Sequence, residues 1–299
     1  MIAILAGLAT LLLLGHNRVP NRPGNVGSLV ETFLPWIGLT IPVLLVLAIW
    51  RRSVPAVTAT GLASLVWLSM FGHLIVPGKG GGQHNLRVLT HNIEASNPDP
   101  AATAQALLAH DADVIALQEL TPEALTQTRS VLAARYPHHA ARGTVALWSK
   151  HPLTATGSVD IGMGWPRALR TQAQTPAGPV ALYVAHLASV RVGSEGFTSD
   201  QRDRTINDLG EAIAQEKLSR VILMGDLNGT AYDRSLAPLT SGLTSAQAQA
   251  GWGFGFTWPA KFPMARIDHI LIRGITATDA KILPATASDH RPISADLRL

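Results

Sequence analysis

Acidic, amide and imidazole side chains recur where short apolar segments of this chain begin or end. Glu119 follows the apolar run 114–117 after a single glutamine, and His186 directly follows the run 182–185. The other members of this set, each beside a similar run, are Asn92, Asp226, Asn228, Asp268, Asp289 and His290. Because residues at the ends of strands lie at the rim of a sheet, we expect these distant side chains to meet in one site.

The set combines the groups that hydrolysis of a phosphate bond requires. Carboxylate and amide oxygens are hard ligands, which predicts Mg²⁺ or Mn²⁺ as the cofactor. A carboxylate can also serve as the base for an attacking water, and a histidine paired with an aspartate can stabilise charge. The sequence has no cysteine, which excludes thiolate zinc sites, disulfides and cysteine nucleophiles.

Each fragment has a simpler explanation when it is taken alone. A glutamate after a strand, such as Glu119, is commonly a solvated loop residue. The pair Asp226 and Asn228 in a glycine-rich turn is typical of an Asx-turn. The recurrence of such residues at the ends of many segments favours the catalytic interpretation.

The region 85–299 alternates between short apolar runs and helical patterns, which predicts a single α/β or α+β domain. Periodicity leaves the topology open. Strands are predicted at 86–90, 114–117, 144–148, 180–185, 221–224, 267–272 and 293–297, and helices over 99–110, from 121 onward and over 199–216.

Three apolar stretches, at about 2–15, 33–50 and 54–76, precede this region. A spanning helix needs about 20 apolar residues, so the third stretch suffices easily and the second just suffices. The first is short, and a signal-peptide core is an alternative for it. The stretches predict a membrane domain at 1–76 with three transmembrane helices.

The turn between the second and third stretches contains Arg51 and Arg52, and short basic loops stay in the cytoplasm. A glycine-rich linker at 77–84 follows the third stretch. These features predict a multi-pass protein of the cell membrane whose catalytic domain, 85–299, is extracytoplasmic. The lipid bilayer is then an expected partner.

The basic excess is confined to the N-terminal part. Residues 1–84 carry five basic and one acidic side chains, which leaves 19 of each kind for residues 85–299. A nucleic-acid-binding domain clusters basic residues on the part that contacts phosphates. We therefore expect no nucleic-acid partner, although the formal net charge is +4.

Six short motifs resemble those of the endonuclease/exonuclease/phosphatase superfamily and follow the same order. They are Thr-His-Asn, Leu-Gln-Glu, Ala-His-Leu, Gly-Asp-Leu-Asn-Gly, Arg-Ile-Asp-His-Ile and Ser-Asp-His-Arg-Pro, and they extend over nearly all of 85–299. The resemblance implies an α/β fold, a four-layer sandwich of two mixed sheets between helices. It also implies a metal-dependent phosphohydrolase whose site lies at the sheet ends.

The resemblance further implies a role for each matching residue. Glu119 would be the principal metal ligand, with Asn92 beside it and Asp289 completing the metal environment. The remaining matches would be catalytic.

Among the catalytic matches, Asp226 would orient or deprotonate the attacking water, and Asn228 would hold that water or the phosphate. His186 would bind the phosphate and serve the leaving group. Asp268 would orient and charge His290, which would contact the phosphoryl oxygens in the transition state.

Two further stretches, 185–193 and 253–260, are similar to those of the VanJ-type teicoplanin-resistance membrane proteins. That resemblance implies hydrolysis of undecaprenyl pyrophosphate, a lipid-linked pyrophosphate, to the monophosphate at the outer face of the membrane. Arg191 and Arg266 are candidates to bind the diphosphate, because arginine forms bidentate contacts with phosphate. Arg167 and Arg170 are weaker candidates. A surface nuclease or phosphodiesterase and a non-catalytic binding module at the wall are the alternatives.

Overall fold

The computed structural model describes residues 1–76, 80–194 and 196–299, so part of the predicted linker, 77–79, lies outside the described residues. The N-terminal region is helical. Its helices are α1 (Ile2–Gly15), α2 (Val26–Thr32), α3 (Thr40–Trp50) and α4 (Val54–Ile75), with 3-10 turns at His16–Arg18 and Leu34–Leu39.

Within the described ranges, one helix, α4, is by itself long and apolar enough to cross a membrane. Helix α2 and the helical residues Leu34–Trp50 pass the same test only when the two are counted as a single span, and they are bent by 62°. The first apolar helix, Ile2–Arg18, is shorter. Of the three predicted transmembrane helices, the structure thus supports one by length and composition.

The second apolar stretch, predicted as a spanning helix over 33–50, is helical over Leu34–Trp50, and its first part is a 3-10 turn. Phe33 leaves helical geometry with φ −105° and ψ 13°, and the chain restarts as a 3-10 turn with Pro35 in its first positions. Pro42 then lies in the first turn of α3. A proline is accommodated at the start of a helix, where its missing N–H has no partner to lose. Both prolines therefore lie where a helical segment begins.

The region from residue 85 onward contains two six-stranded sheets and a two-stranded ribbon. The strands are β1 (Leu86–Asn92), β2 (Val114–Gln118), β3 (His138–Arg142), β4 (Val145–Ser149), β5 (Leu153–Ser158), β6 (Ala168–Thr175), β7 (Gly178–His186), β8 (Val192–Gly193), β9 (Gly196–Phe197), β10 (Val221–Asp226), β11 (Thr244–Ser245), β12 (Asp268–Arg273), β13 (Thr276–Ile282) and β14 (Ile293–Arg298).

The first sheet has the order β13-β14-β1-β2-β4-β3, and the second has the order β11-β12-β10-β7-β6-β5. Both sheets are mixed, because β1 pairs parallel with β2 and β7 parallel with β10, whereas the other pairs are antiparallel. The remaining helices are α5 (Pro100–Leu108), α6 (Pro122–Leu132), α7 (Asp200–Ala214), α8 (Ala237–Thr240) and α9 (Ala246–Ala250).

Alternation of side chains along the strands builds three apolar layers. Val88 and Leu182 belong to the layer between the two sheets. Leu89, on the opposite face of β1, packs with residues of α5 and α6. Tyr183, on the opposite face of β7, packs with residues of α7. The predicted α/β sandwich of two mixed sheets flanked by helices is therefore confirmed.

Strand register brings the predicted site residues to one edge of the sandwich. In the first sheet Asn92 is the register partner of Gln118, so the residue after Gln118 stands at the same end. In the second sheet Asp226 is the partner of both His186 on β7 and Asp268 on β12. Parallel strands end together, and an antiparallel neighbour starts where they end, so both sheets present their polar termini at the same edge.

Candidate active site

Two carboxylates from different sheets meet at this edge. Asn92 donates through its Nδ2 to Glu119 Oε1 and to Asp226 Oδ2, both at 3.0 Å. The Asn92 oxygen accepts from the backbone N–H of Glu94 at 3.0 Å, which fixes which end of the amide is nitrogen. Asn92, predicted as a metal ligand, thus turns its nitrogen toward the carboxylates and in this geometry positions them.

His186 completes a group of three around the same point. Its Nε2 lies 3.6 Å from Glu119 Oε1 and 3.6 Å from Asp226 Oδ2. Within the described parts of the chain, neither ring nitrogen of the buried His186 has a hydrogen-bond partner. Burial, together with the nearby positive charge of Arg167, holds the His186 pKa well below its ordinary value, so the ring is neutral.

These three residues fit a divalent cation. One ligand atom from each of Glu119, His186 and Asp226 lies within 4.8 Å of the others. Two carboxylates suit Mg²⁺ or Mn²⁺, and the unpartnered buried nitrogen of His186 leaves one further donor facing the same space. Glu119 itself has a left-handed backbone with φ 60° and accepts from the Ala95 N–H at 2.9 Å.

Asp268 and His290 form a buried ion pair beside this group. His290 Nδ1 lies 2.8 Å from Asp268 Oδ2, and its Nε2 points toward Asp226, 3.8 Å from Oδ2. Burial disfavours the charged ring, but the charges of Asp268 and Asp226 outweigh it and raise the His290 pKa to about 10. His290 is therefore a cation at neutral pH, directed at the centre of the site.

Asp226 is the residue shared by both groups, and its environment suits a base. Burial raises the Asp226 pKa to about 7, although the His290 charge acts in the opposite direction. A carboxylate whose pKa lies near neutrality can both hold and accept a proton at working pH. Its other oxygen, Oδ1, accepts from the Asn228 N–H at 2.9 Å.

The turn after Asp226 depends on an unusual backbone. Asn228 has φ 48°, and its Nδ2 donates to the carbonyl of Leu187 at 3.1 Å. Gly225 has φ 140°, and a Cβ placed there would lie 1.9 Å from the carbonyl oxygen of Ala185 on the neighbouring strand. Only glycine fits at position 225, and the direction of the Asp226 side chain depends on the backbone there.

Replacing Gly225 by alanine is expected to destabilise the protein by about 2–4 kcal/mol, because both steric overlap and the positive φ oppose a side chain. Thermal unfolding of the full chain measures the loss. Gly157→Ala is the matched control, since a Cβ at Gly157 on β5 would meet nothing within 4 Å. An unchanged melting temperature for Gly225→Ala would contradict the close approach of β10 to β7 at Gly225.

The structure does not bring Asp289 into the group of three. Asp289 lies at the rim, where its Oδ2 accepts from Trp258 Nε1 at 3.0 Å. Its Oδ1 is 3.9 Å from His290 Nε2, and its side chain is 49% exposed. The role of Asp289 as a metal ligand stays a prediction.

Among the described residues, neither of the two predicted diphosphate-binding arginines forms an ion pair or hydrogen bond with Glu119 or Asp226. Arg191 is exposed, and its main chain pairs with Thr198. Arg266 is buried. Burial lowers the pKa of Arg266, and the neighbouring Tyr232 acts to raise it. Arg170, a weaker candidate, pairs with Glu216 at 2.9 Å.

Arg167 is the arginine that the structure places at the site. Arg167 lines the same groove as Glu119 and His186. Burial lowers its pKa, and the charges of Asp226 and Glu119 act in the opposite direction. Its Nη2 donates to the Leu187 carbonyl at 3.2 Å. From the sequence Arg167 was a weaker candidate, and strand β6, which begins at the next residue beside β7, was not among the predicted strands.

A groove of about 560 Å³ opens beside these residues. It contains the carboxylate Glu119, the imidazole His186 and the cation Arg167, and the exposed ring of Trp165 lies at its mouth. An anionic group that enters this groove meets Arg167 and the candidate metal group together.

Two sheets with a carboxylate–histidine centre at their common edge, beside a buried Asp–His pair, define a phosphohydrolase-type site in a two-sheet sandwich. The chain belongs to the Endonuclease/Exonuclease/phosphatase family, whose sequence profile matches residues 89–290. The profile match confirms the resemblance at the level of the superfamily. Members of this superfamily are phosphoesterase and nuclease hydrolases, generally dependent on a divalent metal.

Solved structures share the fold at low sequence identity. The mannosyl-6-phosphatase Bt3783 of Bacteroides thetaiotaomicron VPI-5482 is 17% identical with TM-score 0.61, covering 72% of this chain and 100% of that one. D. rerio TDP2, solved with a single-strand DNA product, is 19% identical with TM-score 0.62, covering 72% and 99%. The Staphylococcus aureus beta toxin is 14% identical with TM-score 0.56, covering 71% and 99%. No curated protein matches the sequence.

Proposed function

We propose that this protein is a membrane-anchored, metal-dependent phosphohydrolase that converts undecaprenyl pyrophosphate to undecaprenyl phosphate at the outer face of the membrane. A link to teicoplanin resistance is part of the same proposal. The observation that carries the hydrolytic part is the convergence of Glu119, His186 and Asp226 beside the Asp268–His290 pair.

The side chains divide the work of hydrolysis according to their charge. Asp226, whose pKa is raised to about 7 by burial, would take the proton of the attacking water. His290, held as a cation by Asp268, would donate to a phosphoryl oxygen on which negative charge develops. A bound divalent cation would supply further neutralisation of the phosphoryl oxygens.

A phosphoanhydride substrate suits this set of residues. Its leaving group is a phosphate monoester, which departs as a stable anion and needs little protonation. Arg167, which lines the groove, would bind and orient the departing phosphate. No strong general acid is then required on the leaving-group side.

Exposed apolar side chains on the N-terminal helices support a bilayer location. Helix α4 has 22 residues, which corresponds to about 33 Å at about 1.5 Å per residue and matches a hydrocarbon core of about 30 Å. Helices α1 and α3 pack against it. Large continuous apolar surfaces mark contact with a partner or a membrane. The exposed residues include Leu5, Leu8, Leu11, Leu14, Val43, Val46, Ile49, Leu62, Leu65 and Leu68.

A row of aromatic rings leads from helix α4 toward the site, which supports a substrate with an apolar tail. Trp67 on α4 lies 6.0 Å from Phe254, and Phe254 stacks on Phe256 at 5.2 Å. Two residues further along, Trp258 donates to Asp289 at the rim. An isoprenoid chain placed along this row would bring its diphosphate to the rim of the site at Asp289, which lies beside His290.

The direct test is phosphate release from undecaprenyl pyrophosphate by the purified full chain with Mg²⁺ or Mn²⁺. Release that a chelator abolishes, and that exceeds the rate of an Asp226→Asn variant, is expected. Release no greater than in that variant would refute the proposal. Plasmid DNA and sphingomyelin belong in the same panel, because cleavage of either without release from the lipid would favour the nuclease or phosphodiesterase alternative.

A further inference from the structure

The segment that follows the turn from Asp226 to Asn228 contacts the N-terminal helical region through charged side chains. Glu31 on α2 is the single acidic residue of the first 84 and is fully buried. The Arg234 side chain, eight residues after Asp226, donates through Nε to both Glu31 oxygens at 3.0 Å. The Arg234 backbone N–H adds a bond of 3.0 Å to Glu31 Oε2.

Arg234 also binds the end of the first helix. Its Nη2 donates to the carbonyl of His16 at 2.8 Å, and its Nη1 donates to the carbonyl of Asn17 at 2.5 Å. A cation that satisfies the last carbonyls of a helix stabilises that end. The end of α1, the carboxylate of Glu31 and the segment after the catalytic turn are therefore fixed at one point.

A second buried chain of contacts runs from the same helix to the turn itself. Ser28 donates through its hydroxyl to Asp233 Oδ1 at 3.4 Å. Asp233 Oδ2 accepts from Arg202 Nη2 at 2.7 Å, and Arg202 Nη1 donates to the carbonyl of Asn228 at 3.0 Å. Arg202 and Asp233 are both buried, so this chain is shielded from water and strengthened by its low-dielectric surroundings.

We propose that Glu31 and Ser28 are positioning residues of the catalytic site, which act through Arg234, Asp233 and Arg202 to hold the turn from Asp226 to Asn228 in its reactive geometry. The N-terminal helices are then part of the catalytic unit as well as an anchor. This inference rests on the proposed hydrolytic function, since it concerns how that site is held.

A substitution at Glu31 is expected to change the reaction rate because the turn from Asp226 to Asn228 has an uncommon backbone conformation. Asn228 has φ 48°, a conformation that its surroundings must impose. Its carbonyl is held by Arg202, and its N–H is held by Asp226 Oδ1. Release of Asp233 and Arg234 would loosen the peptide that orients the Asp226 carboxylate. Displacements of about 1 Å at a reacting group can cost about 100-fold in rate.

The test compares full-length Glu31→Gln and Ser28→Ala with Asn25→Gly. Asn25 joins the same two regions by an exposed bond of 3.0 Å to Asp200 and touches nothing in the turn, so it controls for general loosening. With undecaprenyl pyrophosphate and Mn²⁺, we expect Glu31→Gln to lower kcat about tenfold with KM changed less than about twofold. Ser28→Ala should lower kcat about threefold, and Asn25→Gly should leave it unchanged.

Hydrogen exchange of the amides in 227–236 provides a readout that needs no catalysis. Exchange there is expected to quicken in Glu31→Gln and Ser28→Ala but not in Asn25→Gly. Glu31→Gln should also add little to the loss caused by Asn228→Ala, because both act on the same turn. If kcat of the double variant falls by the product of the two single-variant factors, Glu31 has a general structural role, and the inference is overturned.

Unchanged exchange and unchanged kcat in both variants would also overturn it, as would faster exchange with an unaltered kcat. A wild-type chain inactive on every phosphate substrate would refute the proposed function alone. In that case quicker exchange confined to 227–236 would still support the mechanical link from Glu31 to the turn.

Discussion

An Asp226→Asn variant is expected to lose about 10²- to 10⁴-fold in kcat on its phosphate substrate while remaining folded. Asparagine keeps the shape of the side chain, so the hydrogen bond from the Asn228 N–H can persist. Asparagine cannot accept the proton of the attacking water. The substitution also removes a negative charge that lies beside both the Glu119–His186 pair and the Asp268–His290 pair. Steady-state kinetics at saturating Mn²⁺ measure the loss.

The matched control is Asp208→Asn, which makes the same change on the exposed face of α7. It should retain wild-type activity and stability. An Asp226→Asn enzyme that keeps more than about a tenth of the wild-type kcat would exclude Asp226 as the base, because general-base catalysis contributes at least about 100-fold.

Removing Asp268 is expected to have the second-largest effect, with kcat lowered about 100-fold or more and the pH profile altered. Asp268 is fully buried and supplies the partner of His290 Nδ1 at 2.8 Å. In Asp268→Asn the ring loses the carboxylate that orients it and that favours its charge. The comparable carboxylate in Ser-His-Asp triads is worth about 10⁴-fold.

The direction of the pH effect follows from the pKa of His290. Asp268 and Asp226 raise that pKa to about 10, so protonated His290 persists until the pH approaches that value. Without Asp268 the pKa falls, and activity should decline at lower pH than in the wild type. The pKa of His290 is higher in the folded state than in the unfolded state. The protonated ring therefore contributes its full stabilisation below about pH 6.5, and this stabilisation is lost as the pH rises through about 10.

Profiles of kcat/KM against pH for both proteins test this prediction, with thermal unfolding as a check on folding. Removal of one member of a buried pair costs about 3–5 kcal/mol when the other is left alone. Here Asp226 remains near the ring, so the loss should be smaller. An alkaline limb at the same pH in both proteins would contradict the assigned pairing.

The sequence was sufficient for the parts of the site that rest on local pattern. Glu119, His186 and Asp226 each follow an apolar run, and the register of β7 on β10 places His186 opposite Asp226. A strand end identified from the pattern therefore leads directly to a residue at the sheet edge. The motif order then pointed to the superfamily, which the profile match confirmed.

Features that leave no hydrophobic pattern in the sequence were not predicted. The amide of Asn92 is turned by the Glu94 N–H, a local contact without a hydrophobic signal. Arg167 precedes β6, whose polar residues gave no strand pattern. The pair of Glu31 and Arg234 joins residues 203 positions apart, and periodicity carries no information about such a contact.

The N-terminal region shows the same limit. Composition identified its apolar stretches, and α4 matches the predicted third span closely. In the structure, Pro35 lies at the start of the 3-10 turn Leu34–Leu39, and Pro42 lies in the first turn of α3. The bend before residue 34 depends on how these pieces pack, which the residue pattern does not encode.

The proposed mechanism depends on a divalent cation that Glu119 holds at the sheet edge, beside the base Asp226 of the other sheet. The most direct measurement is anomalous diffraction from crystals of the full chain soaked in Mn²⁺. A single strong peak is predicted within about 2.5 Å of a Glu119 carboxylate oxygen, and it should be absent in Glu119→Gln. A cation bound elsewhere, or no peak at this edge of the sheets, would contradict the account.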